Sequence, residues 1–186
     1  MFDRGHRITY VCYDNEAYMN TGVQRSGSTP FCAKTTTTPT GKLSLGNPRP
    51  KKDLPAIAVA HGVPYVATAS IAYPVDLRRK VRRSLSADGP AYIQVNAPCI
   101  TGWSYEAGDT IEQARLVVET CLWPLYEYVD GALAGVTKVR RKRPVEDYLK
   151  TQGRYKHLFK GEAGARVLAQ VQAMADANAE KFGLLD

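Results

Sequence analysis

The sequence predicts an α/β domain built on a doubly wound, mostly parallel sheet, with a C-terminal hairpin and helical extension. Three observations predict it. Runs rich in β-branched and aromatic residues alternate with stretches of helical character, in the order β-loop-α-β-α-β-α. The 186 residues suffice for one domain, or one with a small appendage, and for a sizeable core. The composition, 44% hydrophobic and 23% charged, is that of a globular chain rather than a disordered or fibrous one.

The elements read as follows. RITYVCY (7–13) is a strand. Residues 14–50 are a loop dense in Gly, Pro, Ser and Thr, with TTTT at 35–38 and GNPRP at 46–50. A loop this long in a compact domain is usually functional. DLPAIAVAH (53–61) is a short helix, capped by Asp53 and ended by Gly62. VPYVATAS (63–70) is the second strand. PVDLRRKVRRSLS (74–86) is an amphipathic helix whose apolar positions are Val75, Leu77, Val81 and Leu85. AYIQVNAP (91–98) is the third strand. DTIEQARLVVETCLW (109–123) is a helix with Asp109 as its cap. LYEYVDGALAGVTKVR (125–140) is a hairpin turning at Asp130-Gly131. Short helices are expected over 144–152 and 155–159, and a longer one over 162–186. The expected division is an α/β domain over 1–123 and a hairpin and helical extension over 124–186.

Net charge is +7, concentrated in DLRRKVRRSL (76–85) and in residues 138–160. A solvated helix face and a basic tail docking on a partner subunit account for it; a nucleic-acid surface is the rival, and neither nucleic acid nor membrane is expected as a partner. No apolar run approaches the ~20 residues of a membrane helix. MFDRGHRITYVCYD lacks the apolar segment of a signal peptide, so a cytoplasmic protein with reduced thiols is expected. The chain enters a strand almost at once and is expected to lack its front part. Cys12, Cys32, Cys99 and Cys121 have neither disulfide-framework nor zinc spacing.

Ligands of such sheets lie beyond the carboxyl ends of the strands, where DNEAYMNTG, ASIAYP and APCITGW leave. Asn15 and Ala17 have the spacing at which a loop offers a side-chain oxygen and then a backbone carbonyl to Mg²⁺. The plainer reading is an Asx turn closing the strand. In Asn20-Thr21-Gly22, the glycine permits close backbone approach and Asn20 donates and accepts without titrating. As a bare pattern this is weak.

The string YVCYDNEAYMNTGVQRSGSTP closely resembles the thiamine diphosphate-carrying β subunits of the pyruvate:ferredoxin oxidoreductase (pyruvate synthase) family. The likeness continues through KKDLPAIAVAHGVPYVATASIAYP, GPAYIQVNAPCITGW, ETCLWPLYEY and RPVEDYLKTQGRYKHL. It implies a thiamine diphosphate-binding fold of which the N-terminal part is missing. It implies that Asn15 and Ala17 are Mg²⁺ ligands, that Asn20, with Thr21 and Gly22, lies against the thiazolium, and that Cys99 is one thiolate of a [4Fe-4S] cluster. It implies oxidative decarboxylation of pyruvate with coenzyme A, electrons passing through iron–sulfur clusters to ferredoxin. The partners implied are an α subunit, which supplies the thiamine-activating glutamate, and γ and δ subunits.

Two features of that family are absent from the sequence: the GDG motif with the first Mg²⁺ ligand, and the C-x-x-C pair and third Cys of the cluster. The chain is therefore expected to be inactive in isolation, its missing ligands lying outside it. Among its other cysteines, Cys12 and Cys121 are expected in the core, the latter on a helix; Cys32 in the loop is the spare thiolate. His61 is expected at a helix C-terminus, Trp103 and Trp123 as packing residues, and Lys51-Lys52 as a solvated pair, with a phosphate or coenzyme A contact as the alternative. Oxalate and phenylglyoxylate are the alternative substrates, and an inactive partner-binding module the alternative function.

Overall fold

The computed structural model describes residues 2–186. In chain order its first elements are β1 (Thr9–Asp14), the two-residue strands β2 (Thr40–Gly41) and β3 (Ser44–Leu45), α1 (Leu54–Ala60), β4 (Tyr65–Ser70), α2 (Pro74–Leu85) and β5 (Ala91–Asn96). Then come α3 (Ile100–Trp103), α4 (Thr110–Glu119), β6 (Tyr126–Val129), β7 (Ala132–Val136), α5 (Val145–Leu149) and α6 (Gly161–Lys181).

The main sheet has the order β1-β5-β4-β6-β7. β1, β5 and β4 are parallel neighbours; β6 joins β4 antiparallel and β7 follows it. β4 and β5 are buried on both faces, which is why they read as near-continuous apolar runs. Alternation divides their side chains between two helices. Val66 and Tyr92 pack against Ala58 and Val59 of α1, while Ala67, Ile93 and Val95 pack against Leu77 and Val81 of α2 on the opposite face. That is the doubly wound arrangement. β1 is an edge strand, and Tyr10, Val11 and Tyr13 are exposed along it.

The amphipathic reading of α2 holds for Leu77 and Val81; Val75 and Leu85 are exposed instead. Its basic residues are not simply a solvated face. Lys80 is buried, donating to the Thr68 carbonyl at 2.8 Å and pairing with Asp76. Arg83 reaches Glu127 of β6, and Tyr65 donates to the same carboxylate at 2.9 Å.

Asp53 caps α1 as expected, its Oδ1 accepting from Ala56 N at 3.0 Å. Asp109 makes no such bond. It ends a 3₁₀ turn, Ala107–Asp109, and Thr110 Oγ1 donates to the Ala107 carbonyl. The helix expected over 109–123 stops at Glu119, because the chain reverses through Cys121 at φ 61. Cys121 is thus buried beyond the helix rather than on it. α3 went unread because four residues do not display a period.

The hairpin turns at Asp130 (φ 47) and Gly131 (φ 79), the two positive φ values of a type I′ turn. It is built into the main sheet through β6. The largest core gathers Trp103, Leu116, Trp123, Leu125, Tyr155 and Phe182, and takes in Cys32 and Ala33 from the long loop. Residue 123 sits inside that core. Among the described residues no helix is long and apolar enough to cross a membrane.

Candidate functional site at the carboxyl end of the sheet

The parallel register sets Asp14, Asn96 and Ser70 level with one another, so all three expected segments leave the sheet at one end. Ala97 N donates to the Asp14 carbonyl at 3.0 Å and keeps the first two together.

Asp14 organises the exit of β1. Its Oδ1 accepts from Glu16 N at 3.0 Å, so an Asx turn does close the strand, made by Asp14 rather than Asn15. Ser28 Oγ and Gln94 Nε2 donate to the same carboxylate, and Lys51 Nζ stands 2.8 Å from Oδ2. Burial raises the pKa of this carboxyl. The Lys51 charge and the hydrogen bonds from Lys51, Ser28 and Gln94 outweigh burial and hold it below the usual range.

Lys51 is therefore no solvated lysine. Its ammonium also lies 3.1 Å from Glu16 Oε1 and 4.6 Å from the ring centre of Trp123, and donates to Ser28 Oγ at 2.8 Å. The other Glu16 oxygen is 2.8 Å from Arg154 Nη2. The Arg154 guanidinium is buried, stacked 3.9 Å from the Trp103 ring. Two carboxylates and two cations thus balance one another, Asp14, Glu16 and Arg154 buried and Lys51 part-exposed. The tryptophans are packing residues, and each also donates to a backbone carbonyl: Trp103 Nε1 to Asn15 and Trp123 Nε1 to Ala69. His61 is the C-cap of α1, as expected.

Asn15 and Ala17 line one cleft of about 340 Å³ together with Asp14, Glu16, Ser28 and Gln94. Among the described residues, neither the Asn15 side-chain amide nor the Ala17 carbonyl has a hydrogen-bond partner, whereas the carbonyls of Asn15 and Glu16 are both taken. Two such oxygens on residues lining one cleft fit part of a Mg²⁺ shell, which needs about six. Further ligands must come from elsewhere: among the described residues no three His, Cys, Asp or Glu side chains are grouped to hold a metal.

Asn20, Thr21 and Gly22 are not brought to that cleft. They form the exposed tip of a tight hairpin closed by the Tyr18–Gln24 bridge. Thr21 Oγ1 and Gln24 bond one another's ends, and Gly22 takes φ 118, where a side chain is strained. Much of the loop's hydroxyl content is spent internally: Thr29 on the Glu16 carbonyl, Thr36 on Gly22, Thr35 on Thr38. Asn47, fully buried, donates to three loop carbonyls and accepts from Arg25.

Cys99 is half-buried at the N-terminus of α3, at the same end of the sheet. Cys32 is buried in the largest core, its thiol pushed up to about 11 by burial, so it is not a spare ligand. Cys121 is buried too, and Cys12, half-buried, is packed against α1 and Tyr92. The thiols of this chain by themselves do not fit an iron–sulfur cluster.

Sequence reading missed Arg154, Gln94 and Asn47, and read Lys51 as half of a solvated pair. Arg154 carries no motif and sits in a basic tail; only the tertiary packing returns it to Glu16. Lys51 had a weak signal, a lysine pair directly after the loop.

A parallel α/β core with an oxygen-lined cleft at its carboxyl end defines the cofactor-binding class of doubly wound proteins. Residues 1–95 match the family model described as thiamine pyrophosphate enzyme, C-terminal TPP binding domain, and the chain belongs to that family. It is 58% identical over 183 residues to pyruvate synthase subunit PorB of Methanosarcina barkeri, covering 98% of this chain and 62% of that protein. It is 47% identical over 165 residues to ketoisovalerate oxidoreductase subunit VorB of Pyrococcus horikoshii, covering 88% and 53%. A solved 2-oxoglutarate:ferredoxin oxidoreductase from Magnetococcus marinus is 26% identical and superposes with a TM-score of 0.50, covering 60% of this chain and 36% of that one. The chain thus spans about three fifths of the length of the Methanosarcina barkeri subunit.

Proposed function

We propose that this chain is part of a cytoplasmic 2-oxoacid:ferredoxin oxidoreductase that converts pyruvate and coenzyme A to acetyl-CoA and CO₂ while reducing ferredoxin. The observation that carries the reading is that Asn15 and Ala17, whose side-chain amide and carbonyl have no protein partner, both line one cleft in a thiamine pyrophosphate-binding domain. They would hold Mg²⁺ on the cofactor diphosphate. When bound, thiamine diphosphate supplies the carbanion-stabilising centre that 2-oxoacid decarboxylation requires.

This chain's own residues bind and orient. Asp14 and Lys51 hold the strand exit rigid. Asn20, Thr21 and Gly22, on the exposed tip outside the cleft, would meet the part of the cofactor and substrate that extends beyond it, Asn20 offering an uncharged hydrogen bond. Cys99 would contribute one thiolate of a [4Fe-4S] cluster whose other ligands, like the remaining Mg²⁺ ligand, would come from outside this chain. An α subunit completes the site, with γ and δ subunits and ferredoxin as further partners. The open edge of β1 and its exposed Tyr10, Val11 and Tyr13 support burial of that edge in an assembly.

Pyruvate is the substrate taken from the 58% identity to the Methanosarcina barkeri pyruvate synthase subunit; the two Pyrococcus horikoshii subunits, 48% identical for pyruvate synthase and 47% for ketoisovalerate oxidoreductase, do not separate the two substrates. The test is made on the assembled enzyme. Asn15→Ala is expected to lower thiamine diphosphate and Mg²⁺ content after gel filtration and to abolish pyruvate-dependent ferredoxin reduction. Unchanged cofactor content would sink the ligand assignment, and a higher kcat/KM for 2-oxoisovalerate than for pyruvate would sink the substrate.

A further inference from the structure

Among the described residues, Glu16 is the one side chain that joins Lys51 to Arg154. Its backbone lies at φ 70, in the left-handed region that a non-glycine residue holds only when its surroundings impose it. Its surroundings do so at every polar atom. Glu16 N donates to Asp14 and the Glu16 carbonyl accepts from Thr29 Oγ1 at 2.7 Å. Oε1 takes Lys51, and Oε2 lies 2.8 Å from Arg154 as an ion pair, off the line of a hydrogen bond. One residue earlier, the Asn15 carbonyl is held by Trp103, whose ring carries the Arg154 guanidinium. Arg154 therefore grips two successive residues, Glu16 by charge and Asn15 through Trp103. The grip leaves the Asn15 amide and the Ala17 carbonyl without a protein partner, on two residues that line the cleft.

We propose that Arg154 is a positioning residue for the cation-binding loop: acting through Glu16 and Trp103, it orients the Asn15 and Ala17 oxygens and so sets the affinity for a divalent cation carrying a diphosphate. The proposal rests on the reading of Asn15 and Ala17 as Mg²⁺ ligands. A buried ion pair is a poor way to gain stability, since apolar residues of similar volume do as well. Holding a strained carboxylate at one orientation is something apolar packing does not do. Residues that orient metal ligands from behind typically change affinity by about 10–100-fold when removed.

The experiment measures Mg²⁺-dependent thiamine diphosphate affinity and the apo melting temperature of the assembled enzyme. The variants are Arg154→Gln, Arg154→Lys, Glu16→Gln, the charge-balanced double variant Glu16→Gln/Arg154→Gln, and Asn15→Ala. Each single neutral variant leaves a buried charge unpaired and lowers the melting temperature, which the charge-balanced double variant recovers, whereas in all three the affinity falls about tenfold or more. Arg154→Lys restores most of it, and the double variant is no worse than the poorer single. Wild-type affinity in Arg154→Gln overturns the proposal. So do additive losses in the double variant, and losses that follow the melting temperature. Failure of the singles and the double to assemble counts against it as well, because the pair then holds the fold rather than the loop. Asn15→Ala separates the two readings: if it too binds normally, the ligand assignment has failed, whereas a loss in Asn15→Ala alone leaves that assignment standing without Arg154.

Discussion

Trp103 Nε1 donates a 2.9 Å hydrogen bond to the carbonyl of Asn15, 88 residues away. The helix that follows β5 thereby holds the loop that follows β1. Trp103→Phe keeps a ring beneath Arg154 but removes the donor. The expected cost is about 1 kcal/mol from one lost hydrogen bond to a part-buried acceptor. Denaturant unfolding reads it, and faster amide exchange over residues 15–18 accompanies it.

Met19 packs into the space left by Gly102. A methyl group there would lie 2.3 Å from Met19 Sδ and 2.6 Å from its Cε. Gly102→Ala is expected to push Met19 and the 18–24 hairpin outward, at about 1–3 kcal/mol of overpacking. Adding Met19→Ala should recover part of the loss. A double variant less stable than either single would refute the contact as the cause.

Glu127 joins β6 to α2 and β4 through Arg83 and Tyr65. Glu127→Ala leaves the buried Tyr65 hydroxyl without its acceptor, an expected loss of about 1–3 kcal/mol in unfolding free energy. Arg83 is half-exposed and rehydrates, which caps the cost.

The same residue sets an acid limb. Burial raises the Glu127 pKa, but hydrogen bonds from Arg83 and Tyr65 and the charges of Arg83 and Arg79 leave it below its ordinary value of 4.5. A folded pKa below the unfolded one means stabilisation that is fully present above 4.5 and is lost as pH falls through the folded value. Stability measured from pH 6 to pH 3 should therefore fall more steeply in the wild type than in Glu127→Gln. Parallel curves would remove Glu127 from the account.

Gly131 has φ 79 at the second position of the hairpin turn. Gly131→Ala is expected to cost about 1–2 kcal/mol, since a Cβ is disfavoured there. Its neighbour Asp130, also at positive φ, is a residue type that tolerates that region better. Thermal unfolding of Gly131→Ala against Asp130→Gly separates turn strain from lost side-chain contacts.

By itself the sequence determined what is local. Runs rich in β-branched and aromatic residues placed β1, β4 and β5, Asp53 announced α1, and Asp130-Gly131 announced the hairpin, because each signal acts within a few residues. Spacing after a strand end made Asn15 and Ala17 candidates only, with an Asx turn the plainer reading; their role as ligands came from the family resemblance. The tertiary structure decided which residues meet. It added β6 antiparallel to β4, ended α4 at Glu119, drew Cys32 into the core and left Asn20 on an exposed tip. It also returned Arg154 to Glu16 and laid Lys51 against Trp123. No local pattern encodes those pairings. A buried cation needs a carboxylate and an aromatic face, and which ones it finds depends on how distant elements pack, since burial makes such charges tolerable only in company.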